Sequence, residues 1–295
     1  MNALSHMVRS LRSALVLLPN PVPGPELRRL PVDATAWIVS PSGSPLHAVH
    51  LPAPETNAPV ILFLHGVGAN LGHCVAQLRA LHAAGFGALA VDYRGYGRSR
   101  GFPASQRALV EDAQAAHGFL IDSGIPAGRI IVLGRSLAAA VAVGVAVERP
   151  CAGVVLESPV SSLADLSRVL HLPLSLLAPP DTTLDATADV GTVKVPVLLI
   201  RGDRDRIAPS WMTDRIAAAL SERPTRIILD GVGHYGLHRK TGRDYLTVLT
   251  RWAGTVTSEA ALPSCDAPTG IGGSEPSDRR GRHRRPQVLA VNTAP

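Results

Sequence analysis

The chain has 295 residues, 46% of them hydrophobic, which is enough for a large core in one α/β domain with tails. The formal net charge of +6 comes almost entirely from arginine, with Lys194 and Lys240 the two lysines, and this bias is typical of genome composition and does not indicate a nucleic-acid partner. Cys74, Cys151 and Cys265 lack the spacing of a metal site or a disulfide framework, so we predict a reducing compartment and no structural metal.

The N-terminal stretch combines basic and apolar residues. Arg9 and Arg12 precede the apolar run 14–18, which is too short to span a bilayer and is not followed by a signal-peptidase site. We predict that residues 1–30 form an extension with a short amphipathic helix. Residues 1–20 would pack on the domain or associate weakly with a membrane surface, and the protein is predicted to be cytoplasmic.

The middle of the chain alternates between strands and helices. Residues 34–39 and 46–51 alternate in polarity around a turn, which predicts an antiparallel hairpin. The segments that follow predict a mostly parallel central sheet with helices on both faces, in the α/β class. Further strands are predicted at 59–64, 86–91, 129–133, 153–156, 195–200 and 225–229, and helices at 71–84, 105–120, from 137, 211–220 and 244–252.

Two segments break this alternation. Residues 158–194 are rich in Leu and Pro and are the place for a small lid over the strand ends. From residue 255 the apolar periodicity is lost, and an arginine-rich run at 279–285 lies among Pro, Gly and Ser. We therefore predict one domain over residues 31–254 and a disordered tail over 255–295.

A serine stands at the corner between a buried strand and an Ala-rich helix. The corner spans residues 134–138, with the sequence Gly-Arg-Ser-Leu-Ala. Such a turn exposes the hydroxyl of a nucleophile, and the free amides of the following helix can stabilise a negatively charged oxygen. Taken alone, the five residues indicate a nucleophilic Ser136 or a helix-capping Ser136 equally well, and the usual pattern ends in glycine where this chain has Ala138.

Carboxylates and histidines follow the last two predicted strands. Asp203 and Asp205 come after one strand, and His234 comes after the next, with His238 farther along. The carboxyl ends of parallel strands share a crevice, and a serine nucleophile needs a base and a group that orients the base. The order serine, acid, histidine favours nucleophilic catalysis by Ser136. His238 lacks the Gly-His context and is expected to lie exposed on the last loop.

Six motifs in chain order carry a family resemblance. They are His65-Gly66 with Asn70, residues 92–99, residues 134–137, Leu156-Glu157-Ser158, Gly202 with Asp205 and Pro209, and Gly233-His234. Together they resemble the serine α/β-hydrolase superfamily, and within it the BEM46-type and ABHD13/ABHD17-like group. The likeness covers about residues 34–252 and implies the α/β-hydrolase fold with a minimal lid.

The resemblance implies a role for each matching residue. Ser136 would attack an acyl carbonyl, His234 would take and return the proton, and Asp205 would orient His234. Asp205 is favoured over Asp203 by its spacing from Gly202 and to Pro209.

The same resemblance implies an oxyanion hole formed by the backbone amides of Val67 and Leu137. It implies that His65 shapes its loop and does not act in catalysis.

Other polar residues near the motifs are expected to be structural. Asp92 and Glu157 end strands and are predicted to stabilise turns, while Ser99 and Ser158 lack an elbow.

The sequence therefore predicts a serine hydrolase for an ester, thioester or amide, most similar to a carboxylesterase or thioesterase, with a small acyl compound as substrate. No metal or cofactor is predicted to take part in this reaction. A hydrolase-fold protein that binds without turnover, and a C–C hydrolase or haloperoxidase with the same triad, are the alternatives. A third alternative makes the apolar N-terminal segment and the arginine-rich tail the functional parts, in a membrane-associated or polyanion-binding protein. The sequence does not specify the acyl chain or the oligomeric state.

Overall fold

A computed structural model describes residues 11–22, 24, 26–27, 30, 34–102, 105–240 and 242–257. The first ten residues of the predicted extension and the predicted tail from residue 258 onward lie outside the described residues.

One sheet organises the described part of the chain. Its eight strands are β1 (Thr35–Val39), β2 (Pro45–Leu51), β3 (Val60–Leu64), β4 (Gly87–Val91), β5 (Ile130–Arg135), β6 (Gly153–Glu157), β7 (Val197–Gly202) and β8 (Thr225–Leu229). The strand order is β1-β2-β4-β3-β5-β6-β7-β8. The β1/β2 and β2/β4 pairs are antiparallel, and the other pairs are parallel. The predicted fold class, with its N-terminal antiparallel hairpin, is confirmed.

The strand registers bring the ends of the central strands together. Leu64 at the end of β3 pairs with Gly134 of β5, and Arg135 pairs with Glu157 at the end of β6. Apart from Arg135 and Glu157 at their ends, these three strands are apolar and buried, as expected for strands covered on both faces. The loops that carry the predicted site residues therefore all leave the sheet at the carboxyl ends of its parallel strands.

Helices cover both faces of the sheet. They are α1 (described over 11–17), α2 (Leu71–Ala83), α3 (Gln106–Asp122), α4 (Ala138–Glu148), α5 (Leu163–Leu170), α6 (Leu174–Leu177), α7 (Ser210–Ala219), α8 (Leu237–Lys240) and α9 (Gly242–Thr257). The core on one face includes residues of α1, α3, α4 and α7, and the core on the other face includes residues of α2 and α9. Each face therefore buries its own layer of apolar side chains.

The structure differs from the sequence prediction in the segment 158–194 and at the end of the domain. The segment 158–194, predicted to be irregular, contains the short helices α5 and α6, and the Ser162 side chain accepts a hydrogen bond from the Asp165 amide to cap the first of them. The last helix continues to Thr257 and buries Val256, so the domain boundary predicted after residue 254 falls inside it.

Candidate active site

The turn between β5 and α4 has the geometry of a nucleophile elbow. Ser136 has a φ of +56°, in the left-handed region that side chains with a Cβ rarely occupy. A Cβ at Gly134 would lie 2.4 Å from the Ala138 carbonyl oxygen, so only glycine lets strand and helix approach so closely. The Ser136 amide donates to the Glu157 carbonyl at 2.9 Å, which fixes the strained turn to the neighbouring strand.

Ser136 does not cap the helix that follows it. The N-cap of α4 is Leu137, which makes no side-chain capping bond, and the Ser136 Oγ lies 3.0 Å from Nε2 of His234. Ala138, which replaces the usual glycine, is buried and leaves this contact intact. The substitution therefore does not displace the serine from the histidine.

His234 lies between Ser136 and Asp205. Its Nδ1 donates to Asp205 Oδ2 at 2.8 Å, and this bond leaves Nε2 free to accept the hydroxyl proton of Ser136. Asp205 Oδ1 accepts hydrogen bonds from the amides of Ile207 (3.0 Å) and Ala208 (2.8 Å). Both the acid and the histidine are buried, so the imidazole is held in one orientation and one tautomer.

The alternative acid and the alternative base lie elsewhere. Asp203 accepts a hydrogen bond from the Val232 amide at 3.1 Å and does not reach the histidine, so the geometry selects Asp205. The expectation that His238 lies exposed is wrong. It is 9% exposed on α8, and neither ring nitrogen has a hydrogen-bond partner among the described residues. A helical turn in a segment expected to be a loop buries it.

The loop after β3 packs against the nucleophile. A Cβ at Gly66 would lie 3.3 Å from the Ser136 Cβ and 3.2 Å from the Arg135 carbonyl oxygen. His65 Nδ1 donates to the Gly66 carbonyl at 2.9 Å, and burial lowers the pKa of His65, which keeps the ring neutral. The imidazole also contacts the ring of Tyr93, with centroids 4.7 Å apart. His65 therefore shapes this loop, as the resemblance implied.

Two backbone amides beside Ser136 are available for a ligand. The amides of Val67, just after this loop begins, and of Leu137, at the start of α4, donate no hydrogen bond to the protein within the described residues. Free amides at such positions suit a negatively charged oxygen.

Asp92 is the buried centre of the loop that follows β4. Its Oδ1 accepts the Leu71 amide at 2.8 Å, at the start of α2, and its Oδ2 lies 3.3 Å from His47 Nδ1. A Cβ at Gly97, whose φ is +50°, would fall 1.9 Å from Oδ2, so the loop wraps tightly around the carboxylate. Asp92 thus stabilises the turn, as the sequence predicted.

Sequence reasoning missed a buried polar cluster beneath the elbow. Arg135 Nε lies 3.2 Å from Glu157 Oε1, and Oε2 of the same carboxylate accepts from Gln77 Nε2 (2.6 Å) and the Tyr245 hydroxyl (2.7 Å). Arg135 Nη2 also donates to Gln77 Oε1. Arg135, a charged residue inside the elbow motif, was a sign that a buried partner is needed. Gln77 and Tyr245 lie in predicted helices, and nothing in those helical patterns indicates which residues they contact.

Ser158 resembles Ser136 in backbone conformation but not in surroundings. Its φ is +44°, but the next helix, α5, begins only at Leu163, so Ser158 does not stand at a strand-to-helix elbow. Its hydroxyl is fully buried and has no hydrogen-bond partner among the described residues. Ser99, by contrast, donates to the Asp92 carbonyl at 2.5 Å and accepts from the His47 amide.

The described residues include no helix with the length and hydropathy of a membrane-spanning segment. Among the same residues, no three or more His, Cys, Asp or Glu side chains are grouped so that they could hold a metal ion.

Known proteins are similar to this chain in sequence and in fold. The family model described as "Serine aminopeptidase, S33" matches residues 55–180. An uncharacterized protein of Mycobacterium tuberculosis (strain ATCC 25618 / H37Rv) is 34% identical over 251 residues, covering 82% of this chain and 87% of the relative. The bem46 protein of Schizosaccharomyces pombe is 29% identical over 164 residues, 53% of this chain and 54% of the relative.

A solved structure gives the same architecture. An esterase of Pyrococcus furiosus, Pf2001, superposes with a TM-score of 0.65 at 19% identity, over 81% of this chain and 100% of that one. This likeness concerns the fold alone. The sequence matches and the observed sheet show that the chain belongs to the α/β-hydrolase family, and the similarity to bem46 is consistent with its BEM46-type group.

Proposed function

We propose that this protein is a serine hydrolase that cleaves an ester, thioester or amide through an acyl-enzyme. The observation that carries the proposal is the continuous hydrogen-bonded chain from Ser136 Oγ through His234 to Asp205, with the serine at a strained turn. A carboxylic ester is the first substrate class to test, since the P. furiosus protein that shares the fold is an esterase.

The reaction follows from the directions of these hydrogen bonds. As Ser136 Oγ forms a bond to the acyl carbon, its proton passes to His234 Nε2, and Asp205 stabilises the imidazolium through Nδ1. The carbonyl oxygen becomes an oxyanion, which the amides of Val67 and Leu137 would bind. The tetrahedral intermediate then collapses, and the leaving group departs with the proton from Nε2.

A water molecule completes the cycle. It gives a proton to His234 Nε2 as it attacks the acyl-enzyme, and the second tetrahedral intermediate releases the carboxylic acid while the proton returns to Ser136. The histidine thus acts as base and acid in each half of the reaction, and no other proton carrier is required.

The test compares two serines with the same backbone conformation. Ser136→Ala should reduce hydrolysis of a short p-nitrophenyl ester by about a thousandfold or more, because the nucleophile is removed. Ser158→Ala is the matched control and should keep its activity, since that hydroxyl contacts no polar partner among the described residues. A fluorophosphonate probe should label the wild type and not Ser136→Ala.

An unchanged rate in Ser136→Ala would contradict the proposal. Absence of both turnover and labelling in the wild type would instead favour a hydrolase-fold binding protein.

A further inference from the structure

Helix α1 has one buried face and one apolar face that the described protein leaves uncovered. Val16 and Leu17 are buried in the core. Leu11, Leu15 and Leu18, spaced by four and three residues, lie on the opposite face and are 58%, 57% and 54% exposed. The segment is therefore apolar on its buried face and on its exposed face, whereas an ordinary surface helix turns a polar face to water.

Arg12 joins α1 to the end of α6. Its Nε donates to the Leu177 carbonyl at 3.0 Å, and its Nη2 donates to the carbonyls of Leu176 (3.0 Å) and Ala178 (2.9 Å). Leu176 is 78% exposed, and Leu172 and Leu177 are also exposed. The stripe on α1 and the leucines around α6 therefore lie side by side, and we call these six residues the leucine surface: Leu11, Leu15, Leu18, Leu172, Leu176 and Leu177.

The leucine surface borders the candidate site. A Cβ at Gly68 would lie 3.9 Å from the Leu18 Cβ, and Gly68 belongs to the loop whose Gly66 contacts Ser136. Asn20 Nδ2 donates to the Gly68 carbonyl at 3.2 Å, and the Tyr96 hydroxyl donates to the Leu17 carbonyl. The segment that carries the leucine stripe is thus fixed to the loop beside the nucleophile.

We propose that the leucine surface is a docking site for a membrane of anionic lipids. A cluster of neighbouring exposed leucines is typical of an interaction surface, and a helix with leucines on one side and arginine nearby suits the boundary between headgroups and acyl chains. The sequence between residues 1 and 25 contains Arg9 and Arg12 and no acidic residue, and the leucine spacing continues backward at Val8 and Leu4. Both features match a negatively charged lipid surface.

The same features disfavour a second copy of this chain as the occupant. In a twofold interface the identical patch meets itself, so the cationic segments of both copies would face each other. Like charges held together at an apolar contact oppose association. A lipid surface supplies the opposite charge and the apolar phase at once.

The experiment measures binding to vesicles without turnover. The full chain is mixed with vesicles of phosphatidylcholine and phosphatidylglycerol and separated by flotation. The wild type should float with these vesicles and bind less to pure phosphatidylcholine. The double variant Leu11→Ser/Leu15→Ser, and separately Leu176→Ser, should lower the bound fraction, the former by about tenfold or more because two half-exposed leucines no longer enter the acyl layer.

A matched double variant removes exposed apolar residues from the opposite end of the domain, away from the site. Ile121 and Val147 are 40% and 43% exposed near the ends of α3 and α4, where the helices have run back from the site. Ile121→Ser/Val147→Ser should bind vesicles like the wild type. Equal binding by all variants, or no binding by the wild type, would overturn the proposal. So would a dimer in sedimentation that Leu11→Ser/Leu15→Ser abolishes.

Binding and catalysis are separated by two further measurements. Docking would place the mouth of the site against the lipid, a consequence that rests on the proposed function, whereas docking itself does not. Ser136→Ala should float as the wild type does, and Leu11→Ser/Leu15→Ser should hydrolyse a soluble p-nitrophenyl ester at the wild-type rate. If Ser136→Ala retained activity while flotation behaved as expected, the proposed function alone would fail.

Discussion

Ser136 and Ser158 share a left-handed backbone at a strand end but differ in what their hydroxyl groups contact. Both have a positive φ, and both follow a buried strand of the sheet. The Ser136 Oγ reaches an imidazole, whereas the Ser158 Oγ is enclosed without a polar partner among the described residues. The two serines therefore differ in whether the fold brings a base to the turn, and a serine nucleophile requires one.

Asp205 is expected to act through His234 and not through stability. Asp205→Asn keeps the side-chain shape but loses the charge that holds the Nδ1 proton, so kcat for a p-nitrophenyl ester should fall by about three to four orders of magnitude. Asp203→Asn, two residues away, should keep kcat within about a factor of three, because Asp203 contacts the Val232 amide instead. Equal losses in the two variants would show that the loop, and not the carboxylate, is responsible.

His238 gives the protein an acid-sensitive position. Burial lowers its pKa to about 4, and the positive charges of Arg135 and Arg239 act in the same direction while Glu157 opposes them. The unfolded chain takes up a proton near the ordinary value of 6.5, whereas the folded chain does not until about 4. The free energy of unfolding should therefore fall as the pH drops through this window.

Urea unfolding of the wild type and of His238→Leu checks this expectation. Between about pH 7.5 and about pH 5 the wild type should lose roughly 2 kcal/mol more than the variant. His238→Gln, which also cannot titrate, should behave like His238→Leu. Parallel losses in all three proteins would assign the acid sensitivity to other groups.

At the scale of elements, the cluster beneath the elbow connects α2, β5, β6 and α9. Glu157 is 2% exposed and Arg135 12%, so each charge is compensated mainly by the other. Glu157→Gln should lower the free energy of unfolding by about 3 to 5 kcal/mol, because a buried guanidinium loses its partner. Adding Arg135→Met should restore part of that loss in urea unfolding.

An exposed ion pair provides the control for the buried one. Arg226 and Asp214 are paired at the surface, with 43% and 54% exposed side chains. Asp214→Asn should change the free energy of unfolding by about 1 kcal/mol or less, since water screens this pair. The buried pair would not stabilise the fold if Glu157→Gln lowered the free energy of unfolding as little as Asp214→Asn does. The same conclusion would follow if adding Arg135→Met lowered that free energy further.

The elements that could be predicted from sequence are those with local signals. β3, β5 and β6 are unbroken apolar runs, and the glycine at the elbow reports a close approach that only glycine permits. Because the carboxyl ends of parallel strands share a crevice, the loops that carry Ser136, Asp205 and His234 could then be predicted to lie together. Helices α5 and α6 have only eight and four residues, and Pro173 lies between them, so periodicity does not predict them.

Side-chain partners across long sequence separations were not predictable. Gln77, Glu157 and Tyr245 meet from three distant segments, and no pattern in any one of them names the other two. The burial of His238 has the same origin, because the short helix α8 that carries it packs against α2, which is distant in sequence, and against α9, which follows it. Local sequence patterns therefore predict the strands and the loops of the site, whereas the buried polar contacts depend on packing between distant segments.

The whole molecule depends on α9 to cover one face of its sheet. Trp252 is buried, and a Cβ at Gly153 would lie 2.7 Å from its ring, so this indole fills the space that the glycine at the start of β6 leaves open. Val256, one turn later, is also buried. The core described on this face thus extends to the end of the helix and not to the boundary predicted at residue 254.

Two truncations test where the domain ends. A chain that stops after Thr257 should keep its ester hydrolysis and its Tm within about 2 °C, because it retains the whole of α9. A chain that stops after Arg251 loses Trp252 and Val256, which costs about 4 kcal/mol or more of core burial and should lower Tm by roughly 10 °C or more. Thermal unfolding and p-nitrophenyl ester hydrolysis measure both. A loss of activity in the longer chain, with its Tm unchanged, would assign a function to residues 258–295 and favour the polyanion-binding alternative over a self-sufficient hydrolase domain.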